Sequence, residues 1–288
     1  MNSLHRAVKQ KRLEVSRKRI DTPIIDLVRY LDTFTVRDLR SAIRGGCRII
    51  AEIEKGSPGD RECRSDSRLV GLAQTYVRSG ASALSVVTDD MNSGSSLAEV
   101  KAIREHIDVP LLVKDIIVDP YQIYEAKAFG ADAVFLFTAI VTPSVLRSFL
   151  GLIHTLGMTA VVGVHDEMEI RIALDGGARV IGIDNRDVDS IETYLNVTRK
   201  LVIHVPDCVT IVSDNRDCSR AVIEELSALG VDAFTVGSAL LGSAHPDETL
   251  RRLLGHPPTT TDLHRMYPDP GLQKTRWVRW KRPPDSGS

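Results

Sequence analysis

The sequence has few of the features that mark membrane, disulfide-rich or metal-binding proteins. No apolar run in its 288 residues approaches the ~20 residues needed to cross a bilayer, and the N-terminus has no apolar signal region. Four cysteines occur without Cys-x-x-Cys or Cys/His spacing. We therefore expect reduced thiols in a cytoplasmic protein, and no metal site, from Cys47, Cys63, Cys208 and Cys218.

The sequence also has no marked excess of positive or negative charge, because its formal net charge is -1. This balance gives no reason to expect a polyanionic partner for the body of the chain. The opening segment "LHRAVKQKRLEVSRKRI" is amphipathic and rich in arginine and lysine. A transit peptide can look similar, but Glu14 and the lysine content favour an ordinary solvated helix.

From about residue 48, short Val/Ile-rich runs alternate with helical patterns. Continuous apolar strands separated by helices are typical of a parallel sheet covered on both faces. Four of the runs follow a glycine at a helix end, in "SGASALSVV", "GADAVFLF", "GGARVIGI" and "GVDAFTVG". The predicted strands are 48–53, 83–87, 110–115, 133–137, 159–164, 180–184, 209–214 and 233–238.

Eight such units at a spacing of roughly 25 residues predict a (β/α)8 TIM barrel. A doubly wound sheet is the alternative, but no Gly-x-Gly-x-x-Gly follows the first strand. We expect an N-terminal helical extension over 1–45, the barrel over 46–256 and an extended or disordered tail over 257–288. The tail segment "KTRWVRWKRPPDSGS" could contact a partner or nucleic acid, but a solvated tail is favoured, so no nucleic-acid partner is expected.

The active site of such a barrel lies where the carboxyl ends of the strands meet. The stretch "LLVKDIIVD" ends an apolar run on Lys114, and a buried ammonium needs a partner. We therefore place Lys114 at the barrel mouth, where it could donate a proton to a carbonyl oxygen. A structural Lys–Glu pair at the rim is the alternative. Other strand ends contribute Glu52, Glu54, Gly163, His165, Asp184, Arg186, Asp214, Gly237 and Ser238.

The last strand leads into "VGSALLG", which combines Gly237 and Ser238 with the start of a helix. Barrels commonly hold phosphate at this place through backbone N–H groups. A plain glycine turn is the alternative interpretation.

Several long segments together resemble the indole-3-glycerol phosphate synthase family. They include "IIAEIEKGSPG", "VPLLVKDIIVDPYQIYEAKAFGADAVFLF", "RVIGIDNRDVDSIE" and "GVDAFTVGSALL". The resemblance implies a lyase of tryptophan biosynthesis that closes, decarboxylates and dehydrates an anthranilate-derived ribulose phosphate. It also implies a phosphorylated small-molecule substrate and no metal or organic cofactor.

Part of the family's site pattern is retained. The resemblance implies that Lys114 is the general acid and that Glu52 is the first-strand catalytic glutamate. It also implies substrate-binding roles for Ser57 beside Pro58, Arg186, Gly237 and Ser238.

Other positions depart from the family pattern. Glu54 replaces a lysine, Gly163 replaces the glutamate of Val-Glu-Val-His before His165, and Asp184 replaces an asparagine. The Ser-Glu-Ser-Gly motif reads Ser-Asp-Asn-Arg, and a phenylalanine beside the aryl ring becomes isoleucine. We expect Gly163 to open space for a different ring or substituent, among substrate contacts from Ile116, His165, Asn215 and Arg216.

Three functions remain open from the sequence. The first is an active family member with an altered substrate or chemistry, in which Glu54, Asp184 and Asp214 supply the acid–base function missing at position 163. The second is an ordinary indole-3-glycerol phosphate synthase, and the third is a catalytically silent binding barrel. The first is favoured because Lys114 and Glu52 are retained together, while the sequence does not indicate an oligomeric state.

Overall fold

Eight parallel strands close into a barrel in chain order, and β8 pairs with β1. The computed structural model describes residues 3–54, 66–88, 96–185, 191–215 and 218–257. The predicted (β/α)8 barrel is confirmed, and the alternative of an open doubly wound sheet is wrong. No helix within these ranges is long and apolar enough to span a membrane.

The strands lie where the apolar runs predicted them, with ends that shift by at most two residues. Their bounds are β1 Arg48–Ile53, β2 Ala83–Val87, β3 Leu111–Lys114, β4 Ala133–Phe137, β5 Thr159–Val164, β6 Val180–Asp184, β7 Thr210–Asn215 and β8 Ala233–Val236.

Three helices precede the first strand: α1 Ser3–Asp21, α2 Ile24–Val28 and α3 Leu39–Ile43. A short 3-10 helix, Thr138–Ile140, follows β4. The remaining helices of the described residues are α4 Asp66–Arg78, α5 Leu97–Arg104, α6 Pro120–Ala128, α7 Pro143–Thr155, α8 Glu167–Gly176, α9 Ile191–Val202, α10 Arg220–Ala228, α11 Ser238–Leu241 and α12 Pro246–Leu253.

The glycines that mark the turns from helix to strand have a conformational reason to be there. Gly80, Gly130, Gly177 and Gly230 have φ values of 103°, 93°, 94° and 103°. Residues with a Cβ rarely adopt this left-handed region, so glycine ends each helix at low cost.

Two aspartates that follow these glycines join the amino ends of the strands. Asp132, just before β4, accepts hydrogen bonds from the backbone N–H groups of Arg37 (2.7 Å) and Leu111 (2.8 Å). The guanidinium of Arg104 also donates to Asp132, at 2.6 Å. Asp232, just before β8, accepts from the backbone N–H groups at positions 45 and 211 in the same manner. The end of the barrel formed by the amino ends of the strands is therefore held by buried hydrogen bonds as well as by apolar packing.

Side chains alternate along each strand, and one set fills the barrel interior. The interior core includes Ile50, Leu112, Phe135, Val161, Val180 and Val212. The other set packs beneath the helices in a larger apolar cluster. By the same alternation, the last inward positions at the carboxyl ends are Glu52, Lys114, Phe137, Gly163, Asp184 and Asp214. The last interior layer is thus rich in charged groups.

The N-terminal helix is attached to the end of β3. Lys11 of α1 is only 2% exposed, and its Nζ forms ion pairs with Asp115 (2.9 Å) and Glu14 (3.0 Å). Asp115 directly follows Lys114. Helix α1 therefore restrains the segment that carries the mouth lysine.

Candidate active site

Lys114 occupies the centre of the charged layer. It is the last residue of β3 and is 4% exposed. Its Nζ donates to Oε2 of Glu52 at 2.7 Å and lies 2.8 Å from Oδ2 and 3.0 Å from Oδ1 of Asp214. A buried ammonium is costly unless it is paired, and two carboxylates from β1 and β7 provide that pairing. The three side chains cross the barrel interior from three different strands.

Glu52 is itself held by neighbouring strands. The hydroxyl of Ser85, buried in β2, donates to Oε2 of Glu52 at 3.2 Å. A Cβ placed at Gly237 would lie 3.3 Å from both Cβ and Oε1 of Glu52. The absence of a side chain at Gly237 therefore leaves room for the glutamate between β8 and β2.

The space above Gly163 is filled by an aromatic ring. A Cβ at Gly163 would lie 2.6 Å from Cε1 and Cζ of Phe135, and a Cβ at Gly182 would lie 3.2 Å from its Cε2. Gly163 and Gly182 are partners in the β5–β6 register. Phe135, only 2% exposed, thus inserts from β4 over two adjacent glycines. The expectation that Gly163 opens space for a substrate group is wrong, because the protein's own side chain takes that space.

Phe135 also contacts the charged group and a second ring. Nζ of Lys114 lies 5.4 Å from the centroid of the Phe135 ring, within cation–π range. The ring of Phe137, which is half-buried, lies 4.8 Å away at an interplanar angle of 57°. One side of the mouth is therefore apolar and aromatic, and Lys114 lies at its border with the carboxylates.

A second charged pair lies on the β5–β6 side of the mouth. Nε2 of His165 is 3.5 Å from Oδ2 of Asp184, and Nδ1 is 3.2 Å from Oε2 of Glu169 in α8. The hydrogen bond toward Asp184, followed by the one toward Glu169, raises the pKa of His165 from 6.5 to about 10. Asp184 is buried, whereas the His165 side chain is 40% exposed. His165 therefore carries a positive charge at neutral pH.

The other residues predicted for the site are distributed around this layer. Glu54 directly follows β1 and is half-buried, Ile116 is half-buried beyond Lys114, and Ser238 is exposed at the start of α11. Asn215 ends β7, but its side chain lies outside the described part. Ser57, Arg186 and Arg216 also lie outside the described residues, as do Lys55, Pro58, Cys63 and the tail from 258 onward.

Within the described ranges, no group of three or more His, Cys, Asp or Glu side chains is arranged to hold a metal ion. Cys47 and Cys208 carry free thiols.

Four residues that shape the site were not predicted from the sequence. Ser85 is a polar residue in the middle of a buried strand, which is a usable signal. Glu169 lies four residues after His165 at the start of a helix, where side chains on one face meet. Phe135 and Gly182 gave no signal, because their meeting with Gly163 depends on the register of three strands.

The fold and the mouth define the chain as a (β/α)8 barrel with a layer of charged side chains at the carboxyl ends of the strands. Solved structures share this fold at low sequence identity. N-acetylmannosamine-6-phosphate 2-epimerase from Clostridium perfringens matches with a TM-score of 0.57 and 14% identity, over 70% of this chain and 90% of that protein. At this identity the likeness concerns the fold alone.

Sequence comparison is more specific. The family model for indole-3-glycerol phosphate synthase matches residues 4–253. Indole-3-glycerol phosphate synthase of Dehalococcoides mccartyi (strain CBDB1) is 39% identical over 257 residues, which cover 87% of this chain and 99% of that protein. The enzyme of the same name from Roseiflexus sp. (strain RS-1) is 38% identical over 263 residues, covering 88% and 98%. The chain belongs to the indole-3-glycerol phosphate synthase family.

Proposed function

We propose that this chain is a lyase of the indole-3-glycerol phosphate synthase type whose substrate or chemistry has diverged. The substrate class is an aryl-amino sugar phosphate or a related compound. One observation carries the proposal: Lys114 is buried at the mouth between Glu52 and Asp214, whereas Phe135 occupies the place of a carboxylate at position 163. The acid is kept and one of its expected partners is replaced by an apolar ring.

Lys114 is the proton donor in this proposal. As a ring carbon of the substrate bonds to its carbonyl carbon, the C=O π pair moves to the oxygen, which takes one proton from Nζ and becomes a hydroxyl group, leaving Lys114 as a neutral amine. Glu52 and Asp214 hold the ammonium at 2.7 Å and 2.8 Å before the transfer. Because both carboxylates are fixed by their strands, the amine stays in the same position and takes up a proton from solvent before the next turnover.

The charge of the mouth supports an altered substrate. The described mouth residues include five carboxylates and two cations, with Glu54, Asp184 and Glu169 in addition to the pair around Lys114. At an effective dielectric of about 20, two like charges about 4 Å apart repel by about 4 kcal/mol. A substrate that carries both a carboxylate and a phosphate is therefore less well matched to this layer than one with fewer negative charges.

The acid–base function missing at position 163 is assigned to the other carboxylates. Asp214 contacts Lys114 directly, and Asp184 is its partner in the β6–β7 register. Glu54 follows Glu52 by two residues, directly after the end of β1. Gly237, Ser238 and Arg186 are assigned to phosphate on the strength of the family resemblance.

Ordinary indole-3-glycerol phosphate synthase activity in tryptophan biosynthesis is the second candidate. Relatedness over nearly the whole chain favours it, since relatives at 38–39% identity carry that name. Its weakness is that position 163 has no carboxylate and is covered by the Phe135 ring, because removal of a general acid or base commonly costs on the order of 10² or more in rate.

One assay separates the candidates. Purified protein is tested for formation of indole glycerol phosphate from the anthranilate-derived ribulose phosphate, beside Lys114→Ala and Lys114→Arg. Lys101→Ala, at an exposed lysine of α5, is the matched control. Calorimetric titration with the same compound measures binding separately from turnover, and growth of a tryptophan auxotroph measures activity in the cell.

The proposal expects binding of the compound with turnover at least about 10²-fold below that of an ordinary relative assayed in parallel, and no growth of the auxotroph. Turnover equal to the relative's establishes the ordinary activity and overturns the divergent one. Binding and turnover that are unchanged by Lys114→Ala overturn both, since neither function then uses the buried lysine.

A further inference from the structure

His165 is held between two carboxylates, one at each ring nitrogen. Nδ1 faces Oε2 of Glu169 at 3.2 Å, and Nε2 faces Oδ2 of Asp184 at 3.5 Å. A neutral imidazole has one N–H group and one lone pair. In the neutral form one nitrogen would therefore direct its lone pair at a carboxylate, whereas the imidazolium donates to both. The geometry favours the doubly protonated ring.

The orientation of the ring is fixed from the side of α8. Besides facing Nδ1, Oε2 of Glu169 accepts the backbone N–H of His165 at 2.7 Å. The backbone N–H of Glu169 donates in turn to Oδ1 of Asp166 at 2.9 Å, which caps the helix. The first turn of α8 thus holds both the backbone and the ring of His165, so that Nε2 is directed at β6.

Asp184 and Asp214 are adjacent carboxylates that need separate cations. They are partners in the β6–β7 register, and each is at most 5% exposed. Two ionised carboxylates on neighbouring strands repel each other, and the usual result is that one of them takes up a proton. Lys114 lies 2.8 Å from Asp214, and His165 lies beside Asp184. Each carboxylate therefore has its own positive partner and both can stay ionised.

We infer that His165 is a positioning residue that keeps the carboxylate of Asp184 ionised and fixed at the end of β6, where Asp184 acts as the proton acceptor opposite Lys114. In the step itself, the aryl-amino N–H proton of the substrate moves to an oxygen of Asp184, and the freed electron pair, delocalised through the aryl ring, forms the bond from a ring carbon to the carbonyl carbon. The C=O π pair moves to the oxygen, which takes the proton from Lys114 and becomes a hydroxyl group. The inference rests on the proposed lyase function for its substrate.

This arrangement gives a chemical meaning to two departures from the family pattern. A carboxylate at 184 replaces an amide, and the carboxylate at 163 is absent. Position 165 is two residues beyond 163, directly after the end of β5, and its ring lies beside Asp184 at the carboxyl end of the neighbouring strand. The base has moved from β5 to β6, and the histidine that follows β5 now supports it.

The first test is an NMR titration of the imidazole nitrogens in the full-length protein, with His165→Gln used to assign the signals. The expected result is that both nitrogens of His165 are protonated at pH 8 and that the ring titrates well above 6.5. In Asp184→Asn the pKa of His165 should fall by a pH unit or more, since the hydrogen bond toward Asp184 is the largest cause of its rise. A ring that titrates near 6.5 in the wild type overturns the inference, whatever the enzymatic activity.

The second test is a double-mutant cycle on turnover. If His165 acts through Asp184, His165→Gln should lower kcat by about 10-fold or more with little change in KM, and should have no further effect in the Asp184→Asn background. His204→Gln is the matched control, because His204 faces Glu167 of the same helix at 3.3 Å and is 38% exposed. Losses that multiply independently at 165 and 184 overturn the positioning role.

The two tests also separate this inference from the proposed function. A raised pKa of His165 with no turnover of any aryl-amino sugar phosphate establishes the His165–Asp184 pair and overturns the lyase reaction. Turnover that depends on Lys114 but not on Asp184 supports the lyase and overturns the positioning role of His165.

Discussion

The ring of Phe135 predicts that a glutamate cannot be restored at position 163 by a single substitution. A Cβ at this position would lie 2.6 Å from two ring carbons, against a normal carbon–carbon separation of about 3.5–4.0 Å. The ring is buried, and it borders Lys114 and Phe137. It cannot move aside without displacing one of them.

The expected cost of Gly163→Glu is on the order of 3 kcal/mol. Overpacking of a filled core contributes roughly 1–3 kcal/mol, and desolvation of the new carboxylate adds to it. At about 2–4 °C per kcal/mol for a chain of this size, the melting temperature should fall by about 6–12 °C. Phe135→Leu alone removes about three buried carbons and should cost about 2 kcal/mol.

The double variant should cost less than the sum of the two single variants. Leucine at 135 vacates the volume that the glutamate side chain needs, so we expect a favourable coupling of about 0.5–3 kcal/mol. If the divergence at 163 limits the family reaction, the double variant should also form indole glycerol phosphate on the order of 10²-fold faster than the wild type. Gly163→Glu alone should show no such gain.

Thermal unfolding followed by circular dichroism, together with the turnover assay, measures both quantities. Gly163→Ala and Gly151→Ala make the same chemical change at two sites. Gly151 in α7 has no atom within 4 Å of its ideal Cβ, and alanine should stabilise this helix by up to about 1 kcal/mol. The reasoning is refuted if Gly163→Ala melts at the wild-type temperature, or if Gly163→Glu alone is as stable and as active as the double variant.

Three further predictions concern parts of the molecule away from Phe135. Asp132→Ala should destabilise the fold by about 3–5 kcal/mol, because it removes the carboxylate that pairs with the buried Arg104. Urea unfolding measures this loss, and Asp108→Ala is the control, because Asp108 is an exposed aspartate that pairs with Arg37. Lys11→Met should lower the melting temperature and raise KM, because Asp115 beside the mouth lysine loses its buried partner; unchanged KM would show that α1 does not restrain the site. His165→Gln should lower the free energy of unfolding most below pH 6.5, and this loss should shrink toward zero as the pH rises to about 10. The reason is that the pKa of His165 is raised in the folded state, so its stabilising charge is lost through that range. A loss of unfolding free energy that is constant from pH 6 to 10 contradicts the prediction.

The strands and their order could be predicted because each repeat has the same local reason to form. An apolar run after a glycine turn defines a buried strand without reference to any other part of the chain, and Gly80, Gly130 and Gly230 mark three such turns. The place of Lys114 followed from the cost of burying an ammonium. Both arguments use only local sequence and general energetics.

The contents of the space above Gly163 could not be predicted in the same way. A missing side chain predicts a gap only if nothing else reaches it, and Phe135 reaches it from β4 in a register that no local pattern specifies. The pairing of His165 with Asp184 also depends on the adjacency of β5 and β6 and on the first turn of α8. Long-range register decides these contacts, and composition carries no record of it.

The bonds of Asp132 and Asp232 at the amino ends of the strands have a consequence for how this barrel can change. They connect neighbouring β/α units by hydrogen bonds at the end of the barrel opposite the mouth. A library randomised at 54, 135, 163 and 184 should therefore keep a large share of folded members, while one randomised around 132 and 232 should not. New specificities should therefore arise at the carboxyl ends of the strands without loss of the fold.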